Sequence, residues 1–399
     1  QLGDKKNIAR LHAKMASLIW QATGNRDKAS EHHRMALEIL EKEPESVELA
    51  SLYEDISHML RRAGKLAEAL SWGQKTYELA ERLGSSEVLA KCCTSLAILS
   101  TLLGELKKAK QYHEQGLRIS IENNSVEQIL FSYDEIAYIY VLTGEFQKMF
   151  NIAQEGVELA KKVGHLYLLP VMQLWVGWCY ACMGEMQKAI SILEEILASD
   201  KATIINPAFT SSFVKWLLGV CYYWLGEWDK SLQCLMEAYD IGKKTGEWET
   251  SIFVVPWLGE LFLEMGDYLE AEKYFKEDNS ICEKAGFTLG QVTDVFPGLS
   301  KLYLRKGELE KAKELIEKIY EHARRQENML LLSYADMLKA MLFREQKNWE
   351  QSIQHFEKSL QQCKALNMQK WYVWSFAELL YEYGIMYLNR NQEGDKEKA

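Results

Sequence analysis

Residues 64–84 read Gly64-Lys-Leu-Ala-Glu-Ala-Leu-Ser-Trp-Gly-Gln-Lys-Thr-Tyr-Glu-Leu-Ala-Glu-Arg-Leu-Gly84. Its opening, Gly-x-x-x-x-Ala or a near variant, recurs along the chain with glycines at 24, 64, 104, 144, 184, 226, 266 and 307. The intervals are 40, 40, 40, 40, 42, 40 and 41 residues, and a ninth turn at Lys347 follows 40 residues later. A constant interval in this range is the mark of a stacked repeat architecture. Only 5 prolines in 399 residues fit long, uninterrupted helices.

The register extends outward from the glycine. Seven residues before each turn stands a small side chain: Ser17, Ser57, Ala97, Ala137, Gly177, Gly219, Gly259, Ser300 and Ala340. Five residues after it stands another small or modest one, as at Ala69, Ala109, Met149, Ser231 and Ser352. Two antiparallel helices can therefore approach closely at those levels. Four residues before the turn a ring is usual, as in Trp20, Tyr140, Tyr180, Tyr222, Phe262, Tyr303 and Phe343, with Leu60 and Ser100 as exceptions. A helix pair cannot bury its apolar stripe alone, and stacking successive pairs makes one continuous core. Glycine at the turn supplies the backbone freedom that ends one helix and begins the next.

In the order small residue, aromatic, Gly, Ala, this pattern resembles the tetratricopeptide repeat over residues 5–365 or so. The period departs from it, at about 40 rather than roughly 34 residues. Six extra residues add roughly 9 Å of helix rise, shared between two helices. Longer hairpins of this kind resemble the sensor regions of signal-transduction ATPases, cyclase-linked regulators and maltotriose-responsive transcription activators. The expected fold is an all-α, right-handed superhelical solenoid of about nine hairpins over residues 1–368, with a C-terminal capping helix over 369–390 and a polar, frayed tail over 391–399. The connection from Ala198 to Ser212, with Asn206-Pro207, is expected to protrude, and Pro256 and Pro297 to delay or kink their helices.

A net charge of -10 supplies no basic stripe for a phosphate backbone, so no nucleic-acid contact is expected of this segment. The 8 cysteines lack the spacing of a disulfide framework and read as buried thiols of a reducing compartment. No apolar run is long enough for a membrane span, and the expected location is cytoplasmic. The chain begins at Gln1 rather than Met, as expected of a processed or excised piece.

Phosphate-loop, nucleophile-elbow and His-Glu-x-x-His motifs are missing, so neither catalytic residues nor a cofactor are expected. Cys179-Tyr-Ala-Cys182 has a redox or zinc spacing but sits mid-helix without a second ligand pair, and no metal is assigned. His32 and His33 point about 100 degrees apart on a helix and are expected to be partly exposed.

The resemblance implies that first-helix positions near two, three, six and thirteen residues before each turn line a concave groove. In hairpins four to seven these are Phe131 and Tyr138; Val171, Leu174 and Trp178; Phe213, Trp216, Tyr223 and Trp224; and Phe253 and Leu263. Hairpin two instead offers Ser51, Glu54, His58, Arg61 and Arg62, and hairpin eight Asp294, Lys301 and Arg305. The groove is thus expected to be aromatic at mid-length and charged toward its ends, although the same rings could pack between the helices and line nothing. An exposed aromatic groove implies a partner. The expected function is a non-catalytic sensor or interaction domain that takes a protein, a peptide or a small-molecule effector in the groove. A constitutive scaffold is the alternative and an enzyme the remotest. The chaperone-type carboxylate clamp is disfavoured, because Lys14 is followed by Leu18 where that subtype has asparagine.

Overall fold

The computed structural model describes residues 2–23, 26–199, 207–245 and 248–399. Among them the chain forms nine antiparallel helix hairpins and no strand. The first helices of hairpins two to seven are Val47–Arg62, Ser86–Leu102, Val126–Thr143, Leu168–Cys182, Pro207–Trp224 and Trp248–Glu264. Hairpin eight opens with Thr288–Gly290, passes through a π-helical turn at Gln291–Val295, and continues as Phe296–Lys306. Hairpin nine is Met329–Glu345 and Trp349–Ala365.

The 40-residue register is visible as repeated chemistry. Glycines 64, 104, 144, 184, 226, 266 and 307 all adopt positive φ, between 73° and 80°. Seven before and five after the turn, a hydroxyl bridges the two helices at 2.8 Å: Ser57 donates to the Ala69 carbonyl, Ser231 to that of Gly219 and Ser352 to that of Ala340. The glycines at this level are required by space. A Cβ on Gly219 would lie 2.7 Å from Leu235, and one on Gly259 2.6 Å from Phe275. The ring four residues before the turn is covered by the lysine four after it, at 5.2 to 5.6 Å, for Tyr140, Tyr180, Tyr222 and Tyr303.

Lys347 occupies the ninth turn with φ 57°, where an L side chain is strained. Lys347→Gly is expected to stabilise the chain by about 0.5–1 kcal/mol, the strain relief exceeding the added unfolded-state entropy. A urea midpoint that does not rise would refute this.

Pro297 stands at the start of an α-helix that begins late, after the π-helical turn, whereas Pro256 lies inside a helix that runs from Trp248 to Glu264. Two other expectations are corrected. His33 is buried at 4% exposure rather than partly exposed, and burial followed by the charge of His32 lowers it to about 4. The tail is not frayed throughout: the buried Asp395 carboxylate accepts from Arg390 and from the Gln392 backbone N–H. Residues 200–206 of the protruding connection expected at Ala198 to Ser212 lie outside the described residues, as does the first turn at Gly24, and Pro207 opens the next helix.

The largest difference is that the superhelix closes on itself. Arg61 of hairpin two forms an ion pair with Glu249 of hairpin seven, 188 residues on, and the Trp248 indole donates to the Arg61 carbonyl at 2.6 Å. Lys107 meets Glu327 at 2.9 Å, and Asn328 donates to the Leu142 carbonyl at 3.0 Å. Hairpins two, three and four therefore meet those about five repeats later, and the groove becomes a partly enclosed cavity. The chain after hairpin nine closes it further. Met368–Trp371 is a short helix, the backbone breaks at Tyr372, and Val373–Arg390 packs on hairpin nine while its first turn reaches inward.

Candidate functional site

The cavity has a volume of about 380 Å³. It is lined by first helices of hairpins two to nine and by the segment Tyr372–Glu378. Eight of the eleven aromatic and apolar residues singled out from the sequence border it, all but Phe131, Val171 and Leu263: Tyr138, Leu174, Trp178, Phe213, Trp216, Tyr223, Trp224 and Phe253. Phe131 does not. It packs on Tyr167 at 6.4 Å, in a satellite cluster with Leu130, Leu168, Met172 and Val171. Leu263 is fully buried in the main core.

The rings are neither an open wall nor a sealed core. Trp178 and Trp216 are only 8% and 7% exposed and stack on each other at 5.1 Å, while their edges reach the cavity. Phe253 touches Tyr138, Phe213 and Trp216 at 5.2 to 5.7 Å. Trp374 enters from the C-terminal segment, stacked on Trp224 at 5.5 Å and edge-on to Trp178 at 5.5 Å. Beneath this cluster the indole N–H groups of Trp178, Trp216 and Trp224 have no hydrogen-bond partner.

Sequence reading missed part of this lining. Trp175, Trp257 and Glu135 all stand nine residues before their turns. With Leu174 and Trp216 at ten, they fall between the expected levels at six and thirteen. Continuing that stripe by single helical turns would have found them. Nothing local in the sequence announces Tyr372 and Trp374 as lining residues.

The closed turn also brings the charged ends onto the aromatic middle. Six carboxylates line the cavity (Asp134, Glu135, Glu249, Glu260, Asp294 and Glu378) against two cations, Arg61 and Lys301. Arg61 pairs with Glu249, and Lys301 with Glu260 at 2.5 Å and Glu378 at 3.3 Å. Burial opposes the Lys301 charge, but Glu260 and Glu378 outweigh it and lift the ammonium well above its usual range. The other three acids form no ion pair among the described residues, although the Arg61 charge faces Asp134 and Glu135. Asp134 accepts from the Trp175 indole at 2.6 Å and Asp294 from Thr293 at 2.6 Å, yet burial raises both carboxyls to about 6. Burial, reinforced by Asp134, pushes Glu135 well above the carboxylate range.

Asp294 yields a pH-dependent prediction. It is faced by Glu260, Asp278, Tyr138, Cys282 and Tyr372, none of them a cation. Its folded carboxyl holds a proton more tightly than the unfolded chain does, so ionisation weighs against folding above about 6, and that penalty fades as pH falls toward 4. Asp294→Asn is expected to stabilise the protein by about 1–3 kcal/mol at pH 7.5, with the gain shrinking below pH 6. Thermal unfolding of both proteins at pH 7.5 and 4.5 checks it; an equal difference at both values would refute it.

No cluster of three or more His, Cys, Asp or Glu able to hold a metal occurs among the described residues. Cys179 and Cys182 are buried free thiols, raised chiefly by desolvation. No described helix is long and apolar enough to cross a membrane.

A hairpin solenoid with this turn register defines the class: the chain is a tetratricopeptide-type repeat protein. The tetratricopeptide repeat family matches residues 7–82 and 48–122. No curated protein matches the sequence. Among solved structures, the chain is similar to a Rap protein complexed with Competence and Sporulation Factor, at 14% identity and TM-score 0.65, covering 90% of this chain and 99% of that one. It is similar to the Rap conjugation gene regulator of plasmid pLS20 in complex with the Phr* peptide, at 10% identity and TM-score 0.56, covering 81% and 96%. Human IFIT1, solved as a dimer with m7Gppp-AAAA, is similar at 17% identity and TM-score 0.52, covering 98% and 88%. At these identities the likeness is one of fold.

Proposed function

We propose that this chain is a non-catalytic sensor domain that takes a peptide in the central cavity and reports it through the curvature of the superhelix. The observation that carries the reading is the cavity itself. Its volume of about 380 Å³ falls within the roughly 300–1,000 Å³ of ligand pockets, and it combines aromatic walls with a few polar groups. Eight hairpins contribute to the lining, so a ligand there biases the angle between neighbours, and small rotations add along the array. The two Rap structures of similar fold hold Competence and Sporulation Factor and the Phr* peptide. The RNA cap analogue in IFIT1 suits this chain poorly, because the only cations lining the cavity, Arg61 and Lys301, are already paired with carboxylates. A cytoplasmic location and a place within a larger signalling protein belong to the same reading.

A thermal-shift screen of peptides and small molecules tests it. A ligand at about 100 times its Kd is expected to stabilise the protein by about 2.7 kcal/mol. Trp216→Ala and the cavity-filling Leu174→Trp are expected to abolish that gain with helicity retained. Stabilisation untouched by both variants would place the site elsewhere. The constitutive scaffold keeps one observation in its favour: Ile8, Leu11, Met15 and Leu18 form a stripe on the first helix, each 45% to 63% exposed. A protein partner lost on Leu11→Ser/Leu18→Ser and indifferent to the cavity variants would favour it.

A further inference from the structure

We infer that copies of this chain associate head to tail along the superhelix axis, the free turns of hairpins six and seven in one copy seating the free connection between hairpins four and five in the next. The contact is one the chain already makes with itself. The turn glycines of hairpins two to five each lie under a side chain from later in the array: Trp248 over Gly64, His322 over Gly104, Leu366 over Gly144 and Val373 over Gly184, at 2.8 to 3.6 Å from where a Cβ would stand. Among the described residues nothing comes within 4 Å of that point on Gly226, Gly266 or Gly307. The superhelix ends before it covers them.

The amino-acid pattern does not follow that break. Two residues after the glycine stands an apolar side chain throughout: Leu66, Leu106, Phe146 and Met186 at the covered turns, Trp228 and Tyr268 at the next two. The first four are 1% to 7% exposed, the last two 39% and 37%. The same two neighbouring hairpins also expose Leu225, Met265 and Leu269 at their turns, and apolar surface with aromatic and Met side chains is what interfaces favour. What covers the earlier turns identifies what fits these. Trp248 stands eighteen residues before its own turn and Leu366 nineteen after its own; the same register positions around the connection between hairpins four and five hold Leu166 and Val163, both exposed. Turn edge and connection edge therefore match by the register of the chain itself, and each copy has one of each left free. Such a contact joins unlike surfaces, so it propagates from copy to copy unless the rotation closes a ring.

The test is sedimentation of the intact protein from about 1 to about 100 μM, where the average mass is expected to rise with concentration. Val163→Lys/Leu166→Lys and Trp228→Lys/Leu269→Lys are each expected to associate about tenfold or more weakly when alone, at unchanged circular dichroism. Mixed, the two are expected to form a dimer again, because one retains the turn edge and the other the connection edge. Should a double variant lose helicity, Leu269→Lys alone, at a side chain 84% exposed, or Leu166→Lys alone takes its place. Association lost in the turn variant but intact in the connection variant would overturn the proposal in favour of a two-fold contact between turn edges. Association untouched by both variants would put the interface elsewhere and overturn it as well, and a single-chain mass at every concentration would do the same.

Discussion

Replacing Trp248 by alanine is expected to open the superhelical turn. The indole is 9% exposed, lies against Gly64 and edge-on to Phe287 at 5.8 Å, and its N–H ties hairpin seven to the Arg61 carbonyl of hairpin two. Gly64 allows that approach: a Cβ there would sit 3.3 Å from the Trp248 ring. Truncating a buried tryptophan costs about 3–5 kcal/mol. Here the loss falls on one of the few contacts joining hairpins five repeats apart. Because each hairpin is otherwise held by its immediate neighbours, helicity is expected to persist while the array relaxes. Solution X-ray scattering should show a larger radius of gyration at unchanged far-ultraviolet circular dichroism. Ligand stabilisation should fall with it, since the cavity exists only in the closed turn. A lower unfolding temperature with unaltered scattering would show that Trp248 contributes local packing alone.

Trp374→Ala is expected to release the C-terminal segment without unfolding the array. The ring is 5% exposed and touches Trp178, Trp224, Trp257 and Tyr372 at 5.4 to 6.2 Å. Its loss again represents about 3–5 kcal/mol of packing. The three unpartnered indole N–H groups near it then gain access to water, which offsets part of the cost. The expected pattern in hydrogen exchange is faster exchange over 373–390 and in the first helices of hairpins five and six, with hairpins one to three unchanged. Tryptophan emission should shift to longer wavelength. Equal loss of protection in hairpins one to three would mean that the array unfolds as one unit, contrary to nearest-neighbour coupling.

The two substitutions probe different layers of information in the chain. The hairpins were legible because their determinants are local: a positive-φ glycine, small residues seven before and five after it, and a ring four before it each act within one helix pair. Thus Ser57, Ala69 and Gly64 could be placed before any coordinates existed, and Lys347 could be recognised as a turn lacking its glycine. Much of the aromatic lining was legible for the same reason, since helical spacing sets which first-helix residues share a face. Phe131 shows where that logic fails. It stands thirteen residues before its turn, as Phe213 and Phe253 do, but Tyr167 of the next hairpin takes it into a side cluster.

The period, the pairing of helices and the face each helix turns inward were thus determined by sequence alone, because they depend on contacts a few residues apart or between adjacent hairpins. Only the tertiary structure decided that Arg61 meets Glu249, that Lys301 meets Glu378, and that Trp374 stands among Trp178, Trp224 and Trp257. Those meetings depend on the sum of small rotations over about five hairpins. No single interface fixes that sum, so an expected open groove with charged ends became a partly enclosed cavity lined by both the charges and the rings.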